Sequence, residues 1–355
     1  MNTVHKPFLP SDTRRPSGRL LTRAATAFLM GQVGDERVKD LIARNWPHDK
    51  DVELLVRAAV SPNSMTTTTA LVETALADFI VSLGPQSAGA QLLARGLQLS
   101  FDGKGAFIVP GLISDAANTS FVSEGNPIPV RQFSISGGPT LSPKKFATIA
   151  VFLREIFQHS TPNIERLVSA VLTESVGLAL SSAVLDTAAA DASRPAGLRN
   201  GIAATTASIY TDVAEAANQD VSTLAAAVSA VSGDGQIIFV ASPRQAFALK
   251  THVRSPFPFE ILTASSLPAG TVMAVAAKAL VSAIDATPRF DVSTEATPHM
   301  DTSPLPIGSV GTPPTVAAPT LSLWQTGAVG LRMIMEVSWG LRSSAGVSWM
   351  QNVLW

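Results

Sequence analysis

Residues 120–157 read SFVSEGNPIPVRQFSISGGPTLSPKKFATIAVFLREIF, and residues 161–186 read TPNIERLVSAVLTESVGLALSSAVLD. The first stretch is a long hairpin with few apolar groups. Phe121, Val122, Ile128, Val130, Phe133 and Ile135 are spread among Ser, Gly, Pro and Asn. Pro127 and Pro129 each remove a backbone donor, which bars this segment from the middle of an ordinary sheet. Two strands alone are marginal in water, so the arm should lie on another body. A neighbouring copy of the same chain is the simplest such body. The return arm runs from Lys144 to Phe157, with Ile149, Val151 and Leu153 alternating.

The second stretch predicts a helix. Thr161 can cap it, Pro162 suits the first helical position, and Glu165 sits near the positive end of the dipole. Ile164, Leu167, Val168, Val171, Leu172 and Leu178 recur at helical spacing. A run to Asp186 would be roughly 25 residues, or about 38 Å. Ser169, Ala170, Ser175, Gly177 and Ala179 are small enough for close packing against a sheet.

Working outward, Leu20–Arg44 has helical spacing that Gly31 and Gly34 split in two, and Val52–Ala59 follows as a short helix. SPNSMTTTT, residues 61–69, is a polar linker. Leu71–Leu83 predicts a helix stopped by Gly84-Pro85, and Leu92–Val109 predicts short strands leading into the hairpin. Beyond Thr211, helix and strand alternate. Helices are expected at Val213–Val231 and Pro243–Val253, the latter capped by Ser242. Strands are expected at Gln236–Ala241, Phe259–Thr263, Thr271–Ala276 and Ala279–Ile284. Six prolines between residues 296 and 320 predict an extended loop. The tail from Leu321 is strand-rich and holds four of the five tryptophans, so it should return to a sheet beside the long helix.

Composition narrows the class. With 355 residues the chain can bury a large core, yet charged residues are only 15%, against about a quarter in ordinary domains. A formal net charge of −1 excludes nucleic-acid binding through bulk positive charge. Residues 1–23 are locally basic, five Lys or Arg to one Asp, but no signal-peptide cleavage pattern follows. No apolar run approaches the roughly 18 residues of a membrane span. The absence of cysteine removes disulfides, thiolate metal sites and a Cys nucleophile. There is no phosphate-binding glycine loop, no nucleophile elbow and no HExxH, and the five histidines are scattered. Catalytic, cofactor and metal residues are therefore expected to be none. Ser136-Gly137-Gly138-Pro139 reads as a turn or bulge rather than an anion cradle, and Lys144-Lys145 as an edge-strand guard or an intersubunit ion pair.

The hairpin with its Phe-Val-x-Glu-Gly-x-x-Ile-Pro start and Lys-Lys return, the long helix with its Thr-Pro-x-Ile-Glu entry, and SLWQTGAVGLRMIMEVSWGLRSSAGVSWM at 322–350 resemble one known family. PAGLRNG at 195–201 adds a weaker match. The family is that of the major capsid proteins of tailed bacteriophages, with the Hong Kong 97 type fold. The resemblance covers roughly residues 65–355 in order. It implies an α+β fold of five parts. These are an N-terminal helical segment at 1–65, an N-arm and entry strands at 66–114, and an extended loop at 115–144. A peripheral domain on the spine helix follows at 145–204 and 320–355, with an axial domain and Pro-rich loop at 205–319. Whether 1–65 is kept or removed on maturation is left open.

The implied function is structural: pentamers and hexamers tile an icosahedral shell around double-stranded DNA, bound without sequence specificity, in a virion assembled in the host bacterial cytoplasm. The resemblance makes Phe121, Glu124, Gly125, Ile128, Pro129, Arg131, Phe133, Lys144 and Lys145 intersubunit contacts of the extended loop. It makes Pro162, Ile164, Leu167, Val171 and Leu178 the spine-helix set. Implied partners are other copies, a scaffold, a maturation protease, a portal and decoration proteins. No cofactor and no membrane are implied. Residues 120–141 hold Arg131 but no lysine, so the family's loop-lysine cross-link is not expected and locking should be noncovalent. The alternatives are an encapsulin-like or gene-transfer-agent shell, an α/β hydrolase built on the 205–295 block, and an adhesin-type binding module.

Overall fold

A computed structural model describes residues 20–34, 37–47, 49, 52–53, 56, 87–101, 105–112, 124, 138–155, 161–233, 235–253, 257–284, 289–300 and 321–355. The long helix, α4, spans Thr161–Leu185, and α1 (Leu20–Gly34), α2 (Val38–Asn45) and α3 (Ala88–Arg95) precede it. Among its buried side chains, Ile164, Val168, Leu172, Val176, Leu180 and Val184 recur every four residues. Four residues turn a helix roughly 40° past a full circle, so this stripe winds around the axis. One helix can then face α1, α3 and the sheet at different heights. Truncating a stripe residue such as Leu172 to Ala would cost about 2–5 kcal/mol.

The first sheet has the order β1 (Leu97–Ser100), β8 (Leu280–Ile284), β10 (Ala328–Leu341), β4 (Lys144–Leu153), with β9 (Arg289–Ser293) also paired to β10. Antiparallel pairing of β10 with β4 runs from Ala328 opposite Leu153 to Val337 opposite Lys144. Val329, Leu331, Met333, Met335, Val337 and Trp339 face the core from β10. Residues directly opposite share a face, so Phe146, Ala150 and Phe152 face inward from β4. Ile149 and Leu153 therefore lie on the other, open face and are exposed. Both alternate sets of β4 are apolar, and the sequence pattern had drawn attention to the outward one.

The second sheet has the order β11 (Val347–Met350), β7 (Val272–Ala276), β5 (Ile237–Ala241), β6 (Glu260–Thr263). Helices α5 (Val213–Ser232) and α6 (Pro243–His252) cover one face, packing Leu224, Val228 and Leu249 with Phe239, Val272, Ala274 and Met350. Asp212 caps α5 by accepting from the N–H groups of Ala214 and Glu215, both at 2.9 Å. The other face, with Ile238, Val240, Met273, Val275 and Trp349, merges with the core around α4.

The two sheets are thus one packed body, and their strands are shared out differently from the sequence division. Residues 280–284 and 289–293 join the first sheet, whereas 347–350 join the second. A bent two-stranded ribbon makes the passage: β7 leads to β8 through residues 277–279, and β10 to β11 through residues 342–346. Leu341 pairs with Leu280 and Val347 with Val275, so the β10–β11 side carries one extra residue, a bulge at the bend. The Arg342 N–H donates to the Ala279 carbonyl at 2.8 Å. Gly346 is packed so closely that a Cβ there would lie 2.2 Å from that of Ala279.

Other local differences have simple causes. Residues 92–95 are helical, not strand, because Ser87 caps α3 by accepting from the Ala90 N–H at 3.1 Å. Ser87 and Gly89 also meet the Ser181 hydroxyl on α4. Ser242 makes no side-chain cap; its hydroxyl donates to Gln245 Oε1. On α4, Ala170, Ser175 and Ala179 face solvent and only Gly177 of the small residues assigned to the sheet contact is shown buried. The predicted helix at 71–83 and the Pro-rich segment at 301–320 lie outside the described residues.

Arg95 on α3 donates to both Glu260 oxygens on β6, at 3.2 and 2.7 Å, and Gln236 donates to Oε2 at 2.7 Å. The Arg95 hydrogen bonds hold the Glu260 carboxyl below its ordinary value of 4.5. A depressed carboxyl pKa stabilises the fold above the unfolded value, and the contribution is lost as pH falls through the folded one. The pair is partly exposed, so its share is about 0.2–1 kcal/mol. In urea titrations from pH 6 down to 3, Glu260→Gln should remove that part of the acid loss; an unchanged slope would show that the pair contributes nothing.

Candidate subunit interface

The root of the extended loop is built first. Strands β2 (Phe107–Ile108) and β3 (Thr140–Leu141) pair, and the Val109 N–H continues the ladder to the Pro139 carbonyl at 3.0 Å. A small core of Phe101, Val109, Leu141, Val281 and Ala283 sits beneath it, with the Phe101 and Phe107 rings 5.5 Å apart. Arg342 grips the outgoing strand: Nε donates to the Pro110 carbonyl at 3.0 Å, and the Leu112 N–H donates back to the Arg342 carbonyl at 3.3 Å. Gly138 is obligatory in this stem, since a Cβ would lie 1.7 Å from the Val109 carbonyl oxygen. Both ends of residues 113–137 are therefore fixed to the first sheet.

Of the predicted loop contacts, Phe121, Gly125, Ile128, Pro129, Arg131 and Phe133 lie outside the described residues. Glu124 is an exposed turn residue. The two lysines of the return strand part company. Lys144 donates to the Asp191 and Ala192 carbonyls at 2.9 and 3.0 Å, tying β4 to the loop that follows α4. The Asp191 carboxyl is itself held below its usual range by the Ser193 hydroxyl and by the N–H groups of Ser193 and Arg194. Lys145 is exposed, opposite Glu336 in register. Among the described residues β4 pairs only with β10, so its outer edge is open, and Lys145 sits where an edge guard belongs. The open face beside it carries Ile149 and Leu153, with the Arg332–Asp291 ion pair at 2.7 Å next to Ile149.

The spine-helix set also divides. Pro162 stands in the first turn and Leu167 lies along α4; Ile164 is buried in the core, whereas Val171 and Leu178 are exposed. At the C-terminal end of α4, Arg199 donates to the Leu185 carbonyl at 2.6 Å, a cation against the negative end of the helix. Burial pulls the Arg199 pKa down, and its guanidinium lies 4.8 Å from the centroid of Trp349. The indole N–H groups of Trp339 and Trp349 donate to the Ala196 and Ile202 carbonyls, both at 2.9 Å. One tryptophan from each sheet thus holds the 195–202 loop.

A second surface escaped the sequence. Asp220 on α5 is 1% exposed and accepts from the Ser208 N–H and the Trp355 indole N–H, both at 2.7 Å. Gln245 Nε2 donates to the Trp355 carbonyl at 3.0 Å, and its Oε1 accepts from the Gly270 N–H at 3.1 Å. Around this buried network stand bare apolar side chains within two residues of its members: Ile209 (96% exposed), Tyr210, Phe247 (69%) and Leu354 (89%). Large apolar side chains this exposed are ones that a contact with another body would cover.

The described residues contain no group of three His, Asp or Glu able to hold a metal, and no helix there is long and apolar enough to cross a membrane. No family model matches the chain. By sequence it is similar to the capsid polyprotein of Pseudomonas phage PAJU2, 25% identical over 303 residues. The match takes in 79% of this chain and 44% of that polyprotein, so the chain spans less than half of its relative's length. This likeness supports the resemblance carried by the loop, the long helix and the closing strands. Among solved structures, a chain from Microbacterium phage Oxtober96 gives a TM-score of 0.48 at 15% identity, covering 75% of this chain and 91% of that one. A chain of the satellite phage P4 procapsid gives 0.48 at 12%, covering 77% and 97%. A virus-like particle from Pyrococcus furiosus gives 0.44 at 12%, covering 81% and 100%.

Proposed function

We propose that this chain is a major capsid protein of the tailed-phage type, a structural subunit that builds a closed shell from copies of itself. The likeness to a phage capsid polyprotein carries the reading. In it, residues 113–137 of one subunit lie across the next, along the open edge and outer face of β4. Phe121 and Phe133 are its apolar anchors on Ile149 and Leu153. Glu124 to Val130 supply backbone pairing, and contacts from Gly125, Ile128, Pro129 and Arg131 complete the strap. Lys145 keeps the edge from pairing indiscriminately before the correct strand arrives. The exposed apolar side chains around the second sheet, Ile209 and Tyr210 in the loop before α5, Phe247 on α6 and Leu354 in the tail after β11, meet their counterparts where subunits gather into pentamers and hexamers. The shell encloses double-stranded DNA without reading its sequence, and it assembles in the cytoplasm of a bacterial host.

Negative-stain microscopy and size-exclusion chromatography of the purified protein test this directly. Rings of five or six, or closed particles tens of nanometres across, are expected. Phe247→Asp should move the population from rings toward single subunits. A monomer or dimer that persists at high concentration in native buffer would overturn the reading. The contents of any particles then separate a DNA-filled capsid from a compartment carrying protein.

A further inference from the structure

The N-terminal helices occupy an unexpected place. Thr22, Ala24, Ala25, Thr26, Ala27 and Leu29 of α1 are each at most 2% exposed. These residues face every direction around the helix, so α1 is an interior helix, not an arm lying on a surface. It packs against α4, α2, β9 and β10, and its apolar residues belong to the same core as Ile164, Val168, Leu331 and Met333. Its small side chains let the neighbouring elements approach closely, and Thr26 returns its hydroxyl proton to the Thr22 carbonyl at 2.8 Å. Arg23 is ion-paired with Asp49 at 2.6 Å, across the turn that follows α2. Leu41, Ile42, Val52 and Val56 are buried too, so the packed segment extends to Val56.

We infer that residues 20–56 are a permanent structural part of the subunit and stay docked after any cut in the connection between Val56 and Ser87. Any segment shed from this N-terminal end therefore stops short of Leu20. Two facts carry the inference. Removing α1 would uncover the inner faces of both α4 and the first sheet at once. Refilling that volume by collapse is not available to a rigid helix and sheet, so the loss would be felt as a large cavity. The contrast is with a leader helix that lies on the outside, whose departure costs little.

The test uses the full chain with a specific protease site placed in the polar run at 61–69, cut to completion under native conditions. The expected result is one chromatographic peak holding both pieces in equal amounts, separable only in denaturant, with unchanged helix content by circular dichroism. Separation of the two pieces under native conditions, even with unfolding or precipitation of the larger one, would overturn the claim that they stay docked. Release of the N-terminal piece from a larger piece that keeps its circular dichroism and melting temperature would overturn the inference. As a second reading of the same contact, Ala25→Glu should release the nicked fragment while Lys39→Glu, at an exposed position of α2, should not. Release by neither variant or by both alike would count against α1 burial as the cause of retention. None of these readouts needs assembly, so the outcome is independent of whether the subunits form shells.

Discussion

Subunits lacking residues 123–136 are expected to fold, melt at the parent temperature and stay soluble, yet form no closed shells. The stem explains the first half of this result. The β2–β3 ladder, the small core beneath it and the Arg342 clamp all lie outside the deletion, so the body loses none of its described contacts. Reach explains the second half. The residues between Leu112 and Gly138, going out and back, can extend about 40 Å at roughly 3.3 Å per strand residue, enough to cross a neighbouring subunit. A stable contact needs on the order of 1,000 Å² of buried surface, and an arm of this length is the segment best able to supply it. Circular dichroism and thermal melts check the fold, and electron micrographs check closure. Normal shells from the deleted protein would take the loop out of the mechanism altogether.

Asp220→Ala is expected to cost the fold about 3–5 kcal/mol. The substitution strands two buried donors, the Ser208 N–H and the Trp355 indole, and loosens the carbonyl of Trp355 that Gln245 holds. A loss of that size lowers the melting temperature by roughly 4–7 °C in a chain of this length. Trp355→Phe removes one donor and keeps most of the apolar bulk, so it should cost about 1.5–3 kcal/mol. The double variant separates the terms. If the aspartate and the indole act mainly through each other, its cost falls well short of the two single costs added together. Additive costs in urea melts would mean that the bond between them is incidental.

Much of the fold was legible because its signals were local. The long helix announced itself through Pro162 and an apolar repeat, and it ends within a residue of the expected place. The helices and strands from residue 213 to residue 276 follow the predicted order for the same reason. What could not be read was which partner each element would choose. Residues 277–279 are Ala-Lys-Ala, with neither glycine nor proline to mark the point where one strand leaves one sheet for the other. On β4, Phe146, Ala150 and Phe152 compete with Ile149, Val151 and Leu153, and only the pairing with β10 decides which set is inside. Helix α1 is rich in Ala and Thr, so its all-round burial left no strong stripe to notice. The surface around Asp220 joins residues 135 positions apart, a distance that no spacing rule spans.

The ribbon that bends through both sheets also determines how the subunit bears load. Because β7 runs on into β8 and β10 into β11, tension applied between the two sheets would pass along two continuous chain segments side by side. The bulge at 342–346 breaks that alignment at a single place, where the Arg342–Ala279 bond and the tight seat of Gly346 bridge the bend. Among the described residues this bend is the place where a change in the angle between the two sheets would be taken up.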